Sequence, residues 1–267
     1  MPGSLQPGGV ESALGLNGYL MQHQFQWSLP PDQWPLSDDE VHVWVADLAN
    51  NQRFDELLGF LSQDELSKAD RFRFSRDRHD YVIGRGLLRE ILGSYIETRP
   101  AILQFHYREN GKPWLANRSM KQNLNFNLSH SGGLLIIAVA RNRELGIDLE
   151  LVRPFSEMEA VASRCFSREE QVTLQYLKFP HKEKNFFRYW TRKEAGLKCS
   201  GTGISDQPDF NATRLNYVLR EMEPAQGYLA SLAVCGNPFV LKSWQWPRAG
   251  RQDQLETKFL RTENQPG

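Results

Sequence analysis

The sequence predicts an α+β protein made of two halves with a cleft between them. Three observations carry that expectation. Residues 23–137 and 138–250 each combine helical stretches with short runs rich in β-branched and aromatic residues. The halves have similar lengths, although no repeat is visible at the level of identity. The composition, 40% apolar and 24% charged over 267 residues, is globular and long enough for one large domain or two modest ones. A ligand favours a cleft of this kind.

Residues 1–22 are rich in Gly, Pro, Ser and Gln and are expected to be a disordered leader. Val41–Ala46 is rich in β-formers and reads as the first strand. Asp55–Leu61 reads as a short helix. Ser62 followed by Glu65 has the form of a capping box and opens a helical region reaching about Tyr95. That region carries Lys68, Arg71, Arg73, Arg76, Arg78, Arg85 and Arg89, interleaved with Phe72, Phe74 and Tyr81. Guanidinium forks suit phosphate oxygens; a solvated, charge-balanced helix face is the alternative. Gly84 and Gly86 permit close approach of another backbone.

Leu103–Tyr107 reads as a strand and Asn110-Gly111-Lys112-Pro113 as a turn. Lys112 at its tip is a solvated turn residue or an anion contact. Phe126–Gly133 leads into Leu134–Val139, an apolar run suited to a buried strand. Ser129 and His130 are adjacent, so on a strand they point to opposite faces and do not form a nucleophile–base pair. Hydrogen bonding to a polar ligand suits them better. After a tight turn at Arg141–Leu145, Gly146–Glu150 is expected to be a short strand paired with the one before it. Asp148 and Glu150, two apart, then project from one face while Ile147 and Leu149 mark the other as core. Two like charges on one face call for a cation, and oxygen-only ligands suit Mg²⁺. A charge pair turned to water is the alternative.

Ser156–Ser163 and Ser167–Leu177 read as helices, the second capped by Ser167 with Glu170. His181–Lys198 is the long helix, with Phe186, Phe187 and Trp190 on its buried side and Gly201 and Gly203 at its end. Glu194 and Lys198 lie one turn apart on one face: an ordinary ion pair or part of a site. Leu215–Leu219, Tyr228–Val234 and Phe239–Trp246 are expected to be antiparallel strands, and Gln252–Gly267 a polar tail. Basic and acidic residues number 32 each, which argues against bulk electrostatic binding to nucleic acid. No apolar run approaches a membrane span, and the N-terminus lacks a secretory pattern. The three cysteines match no metal-ligand spacing, so a reduced cytoplasmic protein is expected.

Four stretches occur in order: RFRFSRDRHDYVIGRGLLR (71–89), NGKPWL (110–115), FNLSHSGG (126–133) with GIDLE (146–150), and WTRKEAGLKCSGTGI (190–204). Together they resemble a 4′-phosphopantetheinyl transferase of the surfactin-activating (Sfp) type, over about residues 40–245. The resemblance implies a pseudo-twofold monomer holding coenzyme A in the cleft. It implies Mg²⁺-dependent transfer of the phosphopantetheine arm to a serine of an apo acyl or peptidyl carrier protein, with Mn²⁺ a possible substitute. Asp148, Glu150 and Glu194 would hold the metal against the pyrophosphate. Lys198 would contact the phosphates and stabilise the leaving adenosine 3′,5′-bisphosphate. Glu194, directly or through a water on the metal, would deprotonate the serine. Gly111, Lys112, Pro113, Asn127, Ser129, His130 and Lys193 would join the coenzyme A contacts, with Lys68 and Arg85 as further basic candidates. Gly196 departs from the larger residue common at its position and weakens its helix by up to about 1 kcal/mol relative to alanine. A metal-dependent phosphohydrolase of a nucleotide pyrophosphate and a non-catalytic carrier-binding module are the competing functions.

Overall fold

A computed structural model describes residues 27–109, 111–116, 123–201 and 216–247. The leader at 1–22, the tail from Gln252, and Asn110, Gly203 and Leu215 lie outside the described residues.

The first half opens with β1 (Glu40–Asp47), α1 (Phe54–Leu58), α2 (Gln63–Ala69) and the long α3 (Ser75–Ile96). The helical region expected from Ser62 to Tyr95 is thus broken at 70–74. Phe74 is extended (φ −105°, ψ 136°), and the Phe72 ring packs on Tyr81 with centroids 5.2 Å apart. Tertiary packing overrides helical propensity there. The Ser62 cap is present, with Glu65 Oε2 accepting from the Ser62 amide at 3.0 Å. Of Gly84 and Gly86, the second needs its small size: a Cβ there would lie 2.5 Å from Leu57 Cβ, so α1 packs directly on it. Gly84 makes only ordinary contact, with Leu48 at 3.9 Å.

Next come β2 (Phe105–Tyr107), β3 (Pro113–Leu115), β4 (Leu124–Ser131), β5 (Leu134–Arg141) and β6 (Leu145–Leu151). The strands β2 and β3 pair antiparallel around the Lys112 turn. Then follow α4 (Met158–Cys165), α5 (Arg168–Tyr176), α6 (His181–Ser200), β7 (Tyr217–Met222), β8 (Tyr228–Cys235) and β9 (Val240–Gln245). Gly201, at φ 72°, ends α6.

Two strand pairings differ from expectation. The strand β6 does not pair with β5; it pairs antiparallel with β8, in a sheet ordered β6-β8-β7. Its Ile147 and Leu149 instead pack face to face with Ile136 and Ala138 of β5 and Val41 and Val43 of β1, all buried. Stacking two sheets removes more apolar surface from water than extending one. The strand β9 is not antiparallel with β7 and β8. It crosses back to the first sheet, ordered β4-β5-β1-β9, and pairs parallel with β1. Burial drives this too: Trp244 and Trp246 enter a core with Trp34 and Trp44.

The result is four layers. Residues of α3 pack on one face of the first sheet, the second sheet stacks on its other face, and α6 covers the second sheet through Ala195, Cys199 and Ala233. No helix among the described residues is long and apolar enough to cross a membrane.

Candidate active site

The site lies where β4, β6 and α6 meet. Alternation on β6 sends Ile147 and Leu149 into the inter-sheet core and Gly146, Asp148 and Glu150 to the opposite face. A Cβ on Gly146 would lie 2.2 Å from the Ala195 carbonyl and 2.3 Å from the Cys199 amide of α6. Glycine therefore lets the helix sit directly on the strand. A hydrogen bond between Thr191 and Ser231 (3.0 Å) fixes its rotation against β8.

On β4, every second side chain faces β6. Asn127 Oδ1 accepts from the Ile147 amide (2.9 Å). Ser129 Oγ donates to Asp148 Oδ1 (3.0 Å). Ser131 Oγ donates to Glu150 Oε2 (2.9 Å) and accepts from the Leu151 amide (3.2 Å). Two edge strands of different sheets are thus joined through side chains, and the same side chains aim the two carboxylates.

From α6, Lys198 Nζ donates to Asp148 Oδ1 (2.6 Å), the Ile147 carbonyl (3.2 Å) and Ser129 Oγ (3.3 Å). Asp148 is buried, at 4% exposure. Its Oδ2 has no hydrogen-bond partner, which is costly for a buried carboxylate oxygen. Burial is the main force pushing the Asp148 carboxyl above the usual range, against Lys198. Burial likewise raises Glu150, helped by the charge of Asp148. Glu194 is raised by burial and by the charges of Asp148 and Glu150. Three carboxylates therefore feel one another, opposed chiefly by the ammonium of Lys198, with Arg153 near Glu150 and Lys193 near Glu194 adding to it. As the side chains stand, no three His, Cys, Asp or Glu among the described residues are arranged to hold a metal ion. The donor chemistry nonetheless fits a hard divalent cation: all-oxygen ligands, an excess of negative charge and one unpartnered buried oxygen.

Other residues named from the sequence are placed differently. The ammonium of Lys112 donates to the carbonyls of Leu145 (2.8 Å) and Lys198 (2.9 Å) and to Glu144 Oε2 (3.2 Å). It thereby ties the β2–β3 hairpin to the first residues of β6 and caps the C-terminal turn of α6. Gly111 supplies the positive φ of the hairpin, 79°, and Pro113 pairs with Tyr107 in β3. Lys193 donates to the Cys165 carbonyl at the end of α4. His130 is exposed and one residue out of phase with Ser129. Lys68 is exposed on α2, its ammonium 5.3 Å from the Tyr81 ring centroid.

Arg85 is spent elsewhere in the fold. Its guanidinium grips Glu65 Oε1 (2.9 and 2.5 Å), donates to the Tyr107 hydroxyl (3.0 Å) and stacks over Phe105 at 4.8 Å. None of these partners belongs to the carboxylate site. The reason is burial: Glu65 is 2% exposed and needs a countercharge.

Ser131 and Glu144 act at the site without having been singled out from the sequence. The alternation of small polar residues at Asn125, Asn127, Ser129 and Ser131 along β4 is the signal that points to the first. Glu144 gives no comparable signal, because its partners Arg108 and Lys112 come from a distant hairpin.

Comparison with known proteins addresses the family of the chain. Residues 48–142 match the model of the 4′-phosphopantetheinyl transferase N-terminal domain, and residues 144–222 that of the 4′-phosphopantetheinyl transferase superfamily. The chain is 38% identical over 239 residues to 4′-phosphopantetheinyl transferase HetI of Nostoc sp., covering 85% of this chain and 100% of that protein. It is 30% identical over 182 residues to 4′-phosphopantetheinyl transferase Sfp of Bacillus subtilis, covering 68% of this chain and 73% of the relative. To 4′-phosphopantetheinyl transferase AcpT of Escherichia coli O157:H7 it is 31% identical over 172 residues, covering 63% and 82%. With both halves matched in order and the carboxylates gathered at their seam, the chain belongs to the 4′-phosphopantetheinyl transferase superfamily.

Proposed function

We propose that this chain transfers the 4′-phosphopantetheine arm of coenzyme A to a serine hydroxyl of an apo acyl or peptidyl carrier protein and releases adenosine 3′,5′-bisphosphate. Family membership supports the reaction class. The observation that carries the site is the group of three mutually repelling carboxylates around the unpartnered Oδ2 of Asp148. In this reading Asp148, Glu150 and Glu194 hold Mg²⁺, or Mn²⁺ in its place. When bound, the metal neutralises charge on the pyrophosphate oxygens and orients them.

The chain's own residues do the rest. Glu194, with its basicity raised by burial and by its two acidic neighbours, takes the proton from the serine Oγ. The Oγ forms a bond to the phosphorus that carries pantetheine, and the bond from that phosphorus to the oxygen of the bisphosphate breaks. Lys198 has a side chain 29% exposed, so it reaches a phosphate from its present place and stabilises the charge of the departing group. Ser129 and Ser131 keep Asp148 and Glu150 aimed. Exposed Lys68 and His130 are left to meet the nucleotide, while Lys112 and Lys193 support the site from behind. One chain supplies Asp148, Glu150, Glu194 and Lys198, which supports a monomer as the working unit. The three free thiols suit a reducing, cytoplasmic setting.

The test is to incubate the protein with coenzyme A, Mg²⁺ and an apo carrier protein and to weigh the carrier. A gain of one phosphopantetheine, lost in Glu194→Gln, is expected. Coenzyme A hydrolysis with an unmodified carrier would make the chain a phosphohydrolase. Tight carrier binding without turnover would make it a binding module.

A further inference from the structure

We infer that Cys199 and Cys235 form a reversible disulfide site that fastens the last turn of α6 to β8. The sulfurs are already 3.0 Å apart, closer than two sulfurs in ordinary contact. One acceptor, the Glu144 carbonyl, meets both residues: it receives the Cys235 amide at 2.9 Å and the Cys199 thiol at 3.5 Å. Gly146 lets α6 press onto β6 at the Cys199 amide, so the helix end is fixed opposite its partner. Closing the bond to about 2.05 Å shortens the 3.0 Å sulfur–sulfur separation by roughly 1 Å. The third cysteine, Cys165, lies at the end of α4 and packs against a different core cluster, with Met158 and Phe186.

The two thiols differ in a way that orders the chemistry. Cys235 is half-buried and open to an oxidant, whereas Cys199 is 1% exposed. Burial and the adjacent sulfur push the Cys199 thiol up, so it stays protonated. With hydrogen peroxide, the Cys235 sulfur attacks the O–O bond, gaining a hydroxyl and releasing one water. The Cys199 sulfur then attacks the sulfenic sulfur; its proton leaves with the displaced hydroxide as a second water. Two thiols and one peroxide thus give one disulfide and two waters, and a dithiol reductant reverses the sum. This assignment does not depend on the proposed reaction.

To test it, the reduced full-length protein is titrated with hydrogen peroxide, denatured, alkylated and mapped as non-reduced peptides. Two of the three thiols should vanish together, in a Cys199–Cys235 cross-linked peptide that dithiothreitol releases. Tm should rise by roughly 5–10 °C on oxidation, for a bridge closing a loop of this length. The variant Cys235→Ser, at the less buried position, should show neither the link nor the rise. Separately alkylated Cys199 and Cys235 after oxidation would overturn the inference. So would a cross-link that runs through Cys165, or irreversible oxidation of Cys235 alone.

Discussion

Two buried charge clusters, one in each half, are built from the same groups with opposite balance. In the first, the single carboxylate of Glu65 faces two guanidiniums, Arg85 and Arg89, at 2.5–2.9 Å. The surplus donors find carbonyls: Arg89 Nη1 reaches those of Pro100 (2.9 Å) and Leu103 (3.0 Å). Burial opposes the charge of Glu65, yet the guanidiniums hold its carboxyl below the usual range. In the second cluster only the ammonium of Lys198 bonds directly to a carboxylate, an oxygen of Asp148 is unpartnered, and all three carboxyls are pushed up in spite of Arg153 and Lys193 nearby. A buried charge answered from within the chain is architecture. A buried charge left unanswered is a place for something from outside.

The largest expected contrast is in activity. Glu194→Gln should lower carrier modification by about 10²–10⁴-fold, the usual contribution of a general base. It should leave thermal stability unchanged or higher, because burial and the charges of Asp148 and Glu150 oppose the negative charge of Glu194 in the folded protein. Activity assays beside a thermal melt check both; a large fall in Tm would move Glu194 into the architectural class. The first cluster should behave in the opposite way. Glu65→Gln should cost about 3–5 kcal/mol of stability by stranding two buried guanidiniums, measured by urea unfolding, while activity per folded molecule persists.

A third buried group, His42, tests burial without a surplus charge. It is fully buried, donating to or accepting from Tyr95 Oη at 2.7 Å, and burial pulls it down to about 4. The unfolded chain takes up a proton near pH 6.5 and the folded one only near 4, so stability is full above pH 6.5 and lost as pH falls through that window. The loss amounts to as much as about 3 kcal/mol. Urea midpoints at pH 7 and pH 5 should show this fall, and His42→Gln should flatten it. The smallest effect belongs to Arg85→Lys. It should lower stability by about 1–2 kcal/mol through the lost fork and leave the KM for coenzyme A unchanged. A raised KM would bring Arg85 back to the substrate.

What the sequence reveals and hides follows the same division between local and distant contacts. The bounds of α6, the caps at Ser62 and Ser167, and the shared face of Asp148 and Glu150 are legible because each rests on spacings of two to four residues. The pairing of β6 with β8 is not, because a strand's edge carries no label for its partner. Arg85 looks like a phosphate ligand until Glu65, twenty positions away in sequence, is folded against it. Lys112 looks like a solvated tip until the hairpin carries it under α6. The charges of Glu194 and Lys198 can be read from their helix. Their separate partners can be seen only once β6 lies across it.

The return of β9 to the first sheet bears on how the chain matures. Its partner β1 lies some two hundred residues earlier, and Trp244 and Trp246 complete a core begun by Trp34 and Trp44. During synthesis, the first half must wait with an open sheet edge and an unfinished aromatic core until β9 has left the ribosome. Non-local closure of this kind slows folding and exposes strand edges to other chains. The first half is therefore not an independent module: its sheet is complete only once Val240–Gln245 is in place.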